Sequence, residues 1–304
     1  MLILGSDSEV KRGCCAVTIG KFDGLHIGHM SIIDTMLENS SDKPMSKMLV
    51  SFLNHPDMVL GSDYKGSLMS ESEKTDLLYE KGLDYYCSLV FDRMLMNTEA
   101  GVFFDKFIVK KWKTAALFVG DDFCFGKGRL GNTDFLKEKC KEKGIELTII
   151  KRKEFEGEAI SSSRIRKCLA EGEVERAEYM LGRPYTIKGI VSRGHAIGRT
   201  ISFPTINIHP HKNKFLPRFG VYGASVIIEG IKYRAIANIG IKPTLMNESG
   251  PIAEAHILDF DGDLYDTFQE IRLESFIRPE IRFNSLDELK NQLEKDKKWW
   301  TNHN

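Results

Sequence analysis

Net charge is absent from this chain: lysine plus arginine equals aspartate plus glutamate at 43 each. No global field therefore selects nucleic acid or an anionic membrane surface as a partner. Long apolar runs are absent as well, and the first residues show no basic stretch leading into an extended apolar core. Both absences point to a cytoplasmic protein with no membrane partner. The six cysteines, at 14, 15, 87, 124, 140 and 168, contain no C-x-x-C spacing. That argues against zinc and for reduced, mostly buried thiols. Nine prolines and 42% hydrophobic residues in a chain of 304 leave an ordinary globular composition with room for two domains. Nothing in it signals an oligomeric state.

What is present is concentrated in Ile19-Gly20-Lys21-Phe22-Asp23-Gly24-Leu25-His26-Ile27-Gly28-His29. Ala16–Ile19 reads as a buried strand, and Met30, Ile32, Ile33, Met36 and Leu37 recur at helical spacing, so the stretch is a strand-to-helix turn. Glycine at 20, 24 and 28 allows positive φ and close backbone approach. A helix N-terminus supplies unpaired N–H groups and the positive end of a dipole, which suits an anion. His26 and His29, three residues apart at that entrance, can reach one phosphate if the helix begins near Gly28. The helix terminus favours the neutral rings and a bound polyphosphate the cationic ones.

Downstream, Lys47–Leu53 is a second strand running into Asn54-His55-Pro56. His55 falls at the carboxyl edge where ligands gather in open parallel sheets, or it is a structural turn residue. Ser70-Glu71-Ser72-Glu73 is a capping box ahead of a helix. Strands near 85–90, 115–119 and 146–150 alternate with helices, which argues for a doubly wound parallel sheet. After the strand at 115–119, Asp122, Phe123 and Phe125 stand among glycines. The two rings either wall a slot for a flat heterocycle, with Asp122 accepting from ring N–H groups, or fill the core beneath a loop. Ser161, Ser162 and Ser163 lead a helix that carries Arg166, placing capping groups and a cation at one terminus.

Near residue 181 the texture changes. Thr186–Val191, Gly220–Val226 and Ala235–Ile239 are short, β-branched and split by glycine, as in an antiparallel barrel or sandwich. Leu286, Leu289 and Leu293 mark a terminal helix closing it. The predicted domains are residues 1–181 and 182–304.

Gly20–His29 matches the G-x-F-D-G-x-H-x-G-H pattern of the nucleotidylyltransferase superfamily, and it resembles the N-terminal module of bacterial bifunctional riboflavin kinase/FAD synthetases. Further segments agree from about Thr18 to Asp296, including Val119–Gly126, Ile160–Arg166, Gly198–Asn207, Phe215–Tyr222, Asn238–Thr244 and Ala253–Tyr265. The resemblance implies an N-terminal nucleotidylyltransferase sheet domain that adenylylates FMN to FAD, and a C-terminal antiparallel β-barrel with a terminal helix that phosphorylates riboflavin to FMN. ATP is the substrate of both.

By that resemblance His26, His29 and Arg166 stabilise phosphate charge, with Gly20, Phe22, Asp23, Gly24, Gly28 and Ser161–Ser163 around the ATP phosphates. His55, Asp122, Phe123 and Phe125 contact flavin. In the barrel Gly198, Pro204, Arg218 and Tyr222 lie beside nucleotide and flavin, and Glu254 is the base. Thr205 and Asn207 offer hard oxygens to Mg2+. Asn54, Ser202, Ile206 and Asp266 depart from the family pattern. The last three motivate an alternative: an FMN adenylyltransferase alone, whose barrel only binds flavin.

Overall fold

The computed structural model describes residues 1–5, 8, 10, 13–61, 64–193, 203–242 and 250–303. They divide into two compact units, Met1–Ser162 and Ser163–Asn304.

In the first unit six strands form one sheet: β1 (Leu2–Leu4), β2 (Cys14–Ile19), β3 (Met45–Phe52), β4 (Tyr85–Leu89), β5 (Thr114–Gly120) and β6 (Glu146–Ile150). Their order is β1-β4-β3-β2-β5-β6, and every neighbouring pair is parallel. Helices α1 (Ile27–Ser40), α2 (Pro56–Leu60), α3 (Glu71–Glu80), α4 (Arg93–Met96), α5 (Ala100–Phe103) and α6 (Thr133–Lys143) fill the crossovers. Between β4 and β5 the short α5 widens into a π-helical run, Phe104–Lys111. Side chains alternate across the sheet. Cys15, Val17 and Ile19 pack with Phe104, Trp112 and Leu136 on one face, and Ala16 packs with Ile33, Met36 and Leu78 on the other. Both faces are therefore dry, which is why the strands read as near-continuous apolar runs.

From β2 the chain moves one way to β3 and β4, then returns to β5 and β6 on the other side. The carboxyl ends of β2 and β5 thus flank the point where the winding reverses, the place such sheets hold ligands. Both glycine-rich stretches singled out in the sequence begin there.

In the second unit α7 (Ser162–Glu171), of which Ser162 still counts with the first unit, and α8 (Val174–Leu181) precede β9 (Tyr185–Ser192), β10 (Thr205–Ile208), β11 (Gly220–Ile228), β12 (Ile231–Lys242), β13 (Gly250–Ile257) and β14 (Phe268–Arg278). The strands close into a barrel in the order β10-β13-β12-β11-β14-β9, antiparallel throughout. Six strands make a narrow barrel. Its inward positions accordingly hold Ala224, Ala235, Ala237, Ala253 and Ala255, all fully buried.

The terminal helix α9 (Leu286–Asn302) starts at a Ser285 cap and docks by its far end. Trp300 packs with Val221, Ile236 and Leu258, and Asp296 pairs with Arg278 at 2.7 Å. Leu286, expected to face the barrel, is exposed. It shares the helical stripe of Asp296 and Trp300 but lies at the end that does not dock. All six cysteines are free thiols, four of them buried. Burial pushes the Cys15 thiol up to about 12, and those of Cys87 and Cys140 to about 11.

Candidate active sites

The turn after β2 is fixed from several sides. Gly20 N–H donates to the Val50 carbonyl at 3.1 Å. The Ser51 hydroxyl donates to the Lys21 carbonyl at 2.8 Å. Asp23 accepts from the Leu68 amide through Oδ1 and from the Ser162 hydroxyl through its carbonyl, both at 2.8 Å. Of the three glycines expected to supply positive φ only Gly24 does so, at 82°. Phe22 and Leu25 stand at 45° and 40°. Their rings and branches are buried at 1% and 0% exposure, so core packing holds a backbone shape that non-glycine residues avoid.

His26 is the N-cap of α1, and its Nδ1 accepts the His29 amide at 3.3 Å. That bond occupies the Nδ1 lone pair, so the neutral His26 ring carries its proton on Nε2 as a donor. The His26 and His29 rings stack with centroids 3.5 Å apart, and Phe22 meets His29 edge-on. A Cβ on Gly28 would lie 3.2 Å from the His26 ring, a tight approach to which the imidazole would have to yield. Two stacked imidazoles repel when both are cationic. An anion in front of them relieves that repulsion, as a polyphosphate at a helix N-terminus would.

His55 caps α2, its Nδ1 3.3 Å from both the Asp57 amide and the Asp57 carboxylate, and Asp57 also pairs with Lys21. Asn54 exchanges two hydrogen bonds with the Phe91 backbone, at 2.8 and 2.9 Å. A side-chain clamp therefore shapes this loop where the family pattern uses proline. Beyond β5, Phe123 and Phe125 stack at 5.6 Å. Phe125 is nearly buried against Phe103 and Phe135, while Phe123 is half-exposed. Phe125 therefore fills the core beneath the loop, and Phe123 packs partly buried against the same cluster. Asp122 is an exposed carboxylate 3.8 Å from Arg152. Ser162 spends its hydroxyl on Asp23, Ser161 and Ser163 are exposed, and the Arg166 guanidinium lies 6.0 Å from the Phe215 ring centroid within the second unit.

On the barrel, register builds the second constellation. Asn207 pairs with Glu254, and Glu254 with Asn238, across β10, β13 and β12. Directly opposed residues share a face, so the three side chains form one outward row. The Thr205 hydroxyl donates to Glu254 Oε1 at 2.7 Å, and Asn207 is buried at 3% exposure. Asn238, which also donates to Glu280, opens a segment that agrees with the family pattern, but its place beside Glu254 comes from strand register. His256 Nδ1 lies 2.8 Å from the Pro204 carbonyl and its ring 4.7 Å from Phe203. Burial holds the His256 imidazole below its ordinary range, against the opposing pull of that carbonyl.

Arg218 covers the Phe276 ring at 4.8 Å and donates to the Glu171 carbonyl. Tyr222 points into the barrel, donates to the Arg218 carbonyl, and has its phenol pushed up by burial. Gly198, expected beside the nucleotide, lies outside the described residues. Among the described residues no group of three or more His, Cys, Asp or Glu could hold a metal ion, and no helix is long and apolar enough to cross a membrane.

Two family models match in chain order, FAD synthetase over residues 8–164 and riboflavin kinase over 181–303. The chain is 36% identical over 291 residues to the bifunctional riboflavin kinase/FMN adenylyltransferase of Escherichia coli K12, covering 95% of this chain and 92% of that protein. It is 34% identical over 285 residues to the enzyme of the same name from Pseudomonas fluorescens, covering 94% and 91%. A crystal structure described as a macrolide-efflux protein from Streptococcus pneumoniae superposes over 100% of both chains, with TM-score 0.89 at 26% identity. Since relatives of one name align with nearly all of its length and both of their modules are matched within it, this chain belongs to the bifunctional riboflavin kinase/FMN adenylyltransferase family.

Proposed function

We propose that this protein makes FMN and then FAD. The barrel transfers the γ-phosphoryl of ATP to the terminal hydroxyl of riboflavin. The parallel-sheet domain then joins FMN to AMP from a second ATP, releasing pyrophosphate. The observation that supports the reading is two separate polar constellations of the chemistry phosphate transfer needs: stacked His26 and His29 at the winding reversal of one unit, and Thr205, Asn207 and Glu254 on the barrel of the other. A single-activity enzyme with a flavin-binding barrel fits less well, because both family models match and the aligned relatives are bifunctional by name. We place the functional boundary at residues 181/182, and the reduced thiols suit a cytoplasmic location.

In the first reaction Glu254 accepts the proton of the ribityl hydroxyl as its oxygen attacks the γ-phosphorus, and ADP leaves. The Thr205 hydroxyl holds the carboxylate in place for that transfer. The oxygens of Thr205 and Asn207 are a donor set of the hardness Mg2+ prefers; when bound, the ion neutralises charge on the nucleotide phosphates. In the second reaction an FMN phosphate oxygen attacks the α-phosphorus of ATP in line and pyrophosphate departs. His26 and His29 offer N–H donors to the phosphates, so the work is positioning and electrostatics with no covalent enzyme intermediate. Gly24 and Gly28 keep the turn close to the phosphates, and Phe123 offers its half-exposed face to the flavin.

Chromatographic separation of FMN and FAD, after incubation with riboflavin, ATP and magnesium, tests the assignment. His29→Ala should accumulate FMN with no FAD. Glu254→Gln should lose about 10²–10⁴-fold in riboflavin phosphorylation yet still convert supplied FMN to FAD. Equal loss of both activities in either variant contradicts separate sites.

A further inference from the structure

Beneath the turn at residues 20–26 lies a polar network that the proposed mechanism does not use. Lys74, in the first turn of α3, is buried at 6% exposure. Its Nζ stands 3.4 Å from Ser51 Oγ and 3.4 Å from Glu71 Oε2. The other carboxylate oxygen of Glu71 accepts from Tyr86 and Ser88. Ser51, fully buried, donates onward to the Lys21 carbonyl at 2.8 Å. A chain of polar contacts thus runs from the start of α3, through the end of β3, into the backbone of the turn.

The arrangement has a direction. A serine hydroxyl can rotate its single proton, but an ammonium can only donate. With Lys74 on the acceptor side of Ser51 and the neighbouring Tyr86 hydroxyl directed at Glu71, the Ser51 proton is favoured toward the Lys21 carbonyl at 2.8 Å. The Lys21 carbonyl belongs to the same peptide plane as the Phe22 amide, so gripping that oxygen restrains, together with the buried ring, the φ of Phe22, which stands at 45°. This is the strained bend on which the ring of Phe22, and through it the edge contact to His29, depends. Successive polarisation along such a chain strengthens each bond in a dry interior. Burying an ammonium is unfavourable unless it is paired, and Glu71 provides the pairing.

We propose that Lys74 is a positioning residue for adenylyl transfer, orienting the Ser51 hydroxyl so that the Lys21–Phe22 peptide holds the phosphate turn and His29 in their reactive shape. The inference rests on the reading of His26 and His29 as the adenylylation site. Lys74 touches no reacting atom; it acts through Ser51.

The test uses the full chain with Lys74→Met, Ser51→Ala, the double variant and Lys74→Arg. Displacement of about 1 Å at a reacting group costs on the order of 10²-fold, so K74M and S51A should each lower kcat for FMN adenylylation by about that factor. The KM for FMN should change little. The double variant should lose no more than the worse single one, and K74R should restore most of the rate. Hydrogen exchange should quicken at the amides of residues 20–26 while β2 and β5 stay protected, and riboflavin phosphorylation in the same preparations should be unchanged. Wild-type kcat in K74M, multiplicative losses in the double variant, or lost protection across β2 and β5 would each overturn the proposal. A wild-type chain that makes no FAD would sink the site reading instead, and the exchange pattern would then decide the brace alone.

Discussion

His256 joins two facts that pull its imidazole in opposite directions: burial beside Phe203 disfavours the cation, while the Pro204 carbonyl at 2.8 Å favours it. Lys297 adds to the first, Glu294 and Asp259 to the second, and burial prevails. Because the folded state binds the proton less readily than the unfolded chain, stability is complete above the ordinary value of 6.5 and is lost as pH falls below it. His256→Gln should remove that dependence. Between about pH 7.5 and about pH 5.5 the wild-type melting temperature should fall more than that of the variant; equal slopes in thermal melts would refute it. At this scale the sequence is most informative where chemistry repeats a pattern. Thr205, Asn207 and Glu254 are brought together as their motifs imply. It is least informative where a residue's partner is remote. Asp23 reads as a phosphate-turn carboxylate, yet it accepts from Leu68 across a long separation. Asn54 reads as a departure from proline, yet its amide clamps Phe91. Neither partner is visible in a local window.

Among the elements, α9 separates what periodicity can and cannot tell. The stripe Leu286, Leu289, Leu293, Asp296 and Trp300 follows from helical spacing. Which end docks is decided on β11, where Gly223 leaves room for an indole: a Cβ there would lie 2.3 Å from Trp300 Cε3. Gly223→Ala should therefore cost about 1–3 kcal/mol by overpacking, and Trp300→Ala about 3–5 kcal/mol through lost burial. Leu286→Ala, at a side chain 54% exposed, should stay within about 0.5 kcal/mol. Urea unfolding followed by barrel tryptophan fluorescence, or by circular dichroism for the Trp300 variant, measures all three. A Leu286 effect matching that of Trp300 would mean that the helix docks along its whole length. The strands show the same division. Alternating and continuous apolar runs disclose β2, β3 and β5, but the Asn207–Glu254–Asn238 row needs register, which no single strand encodes.

For the molecule as a whole, strand-helix alternation followed by short β-branched runs was enough to read a parallel-sheet domain and then an antiparallel one. The compact units meet at Ser162/Ser163, whereas composition shifts near residue 181, because α7 and α8 pack with the barrel: the Leu169 carbonyl accepts the Arg218 amide, and Gly172 approaches Phe276. Helices carry no compositional mark of which neighbour they will join, so a boundary drawn from texture falls after them. Each family model nevertheless covers its own stretch of chain, and each proposed chemistry is complete in its reactants: the first makes FMN, the second consumes it. FMN released to solution can therefore serve any molecule whose adenylylation site is intact. An equimolar mixture of His29→Ala and Glu254→Gln chains should convert riboflavin to FAD, after a lag while FMN accumulates, far faster than the Glu254 variant alone, whereas the His29 variant alone makes none. If the mixture stalls at FMN while the Glu254 variant still adenylylates added FMN at the same concentration, the product is withheld from solution and the two sites do not work independently.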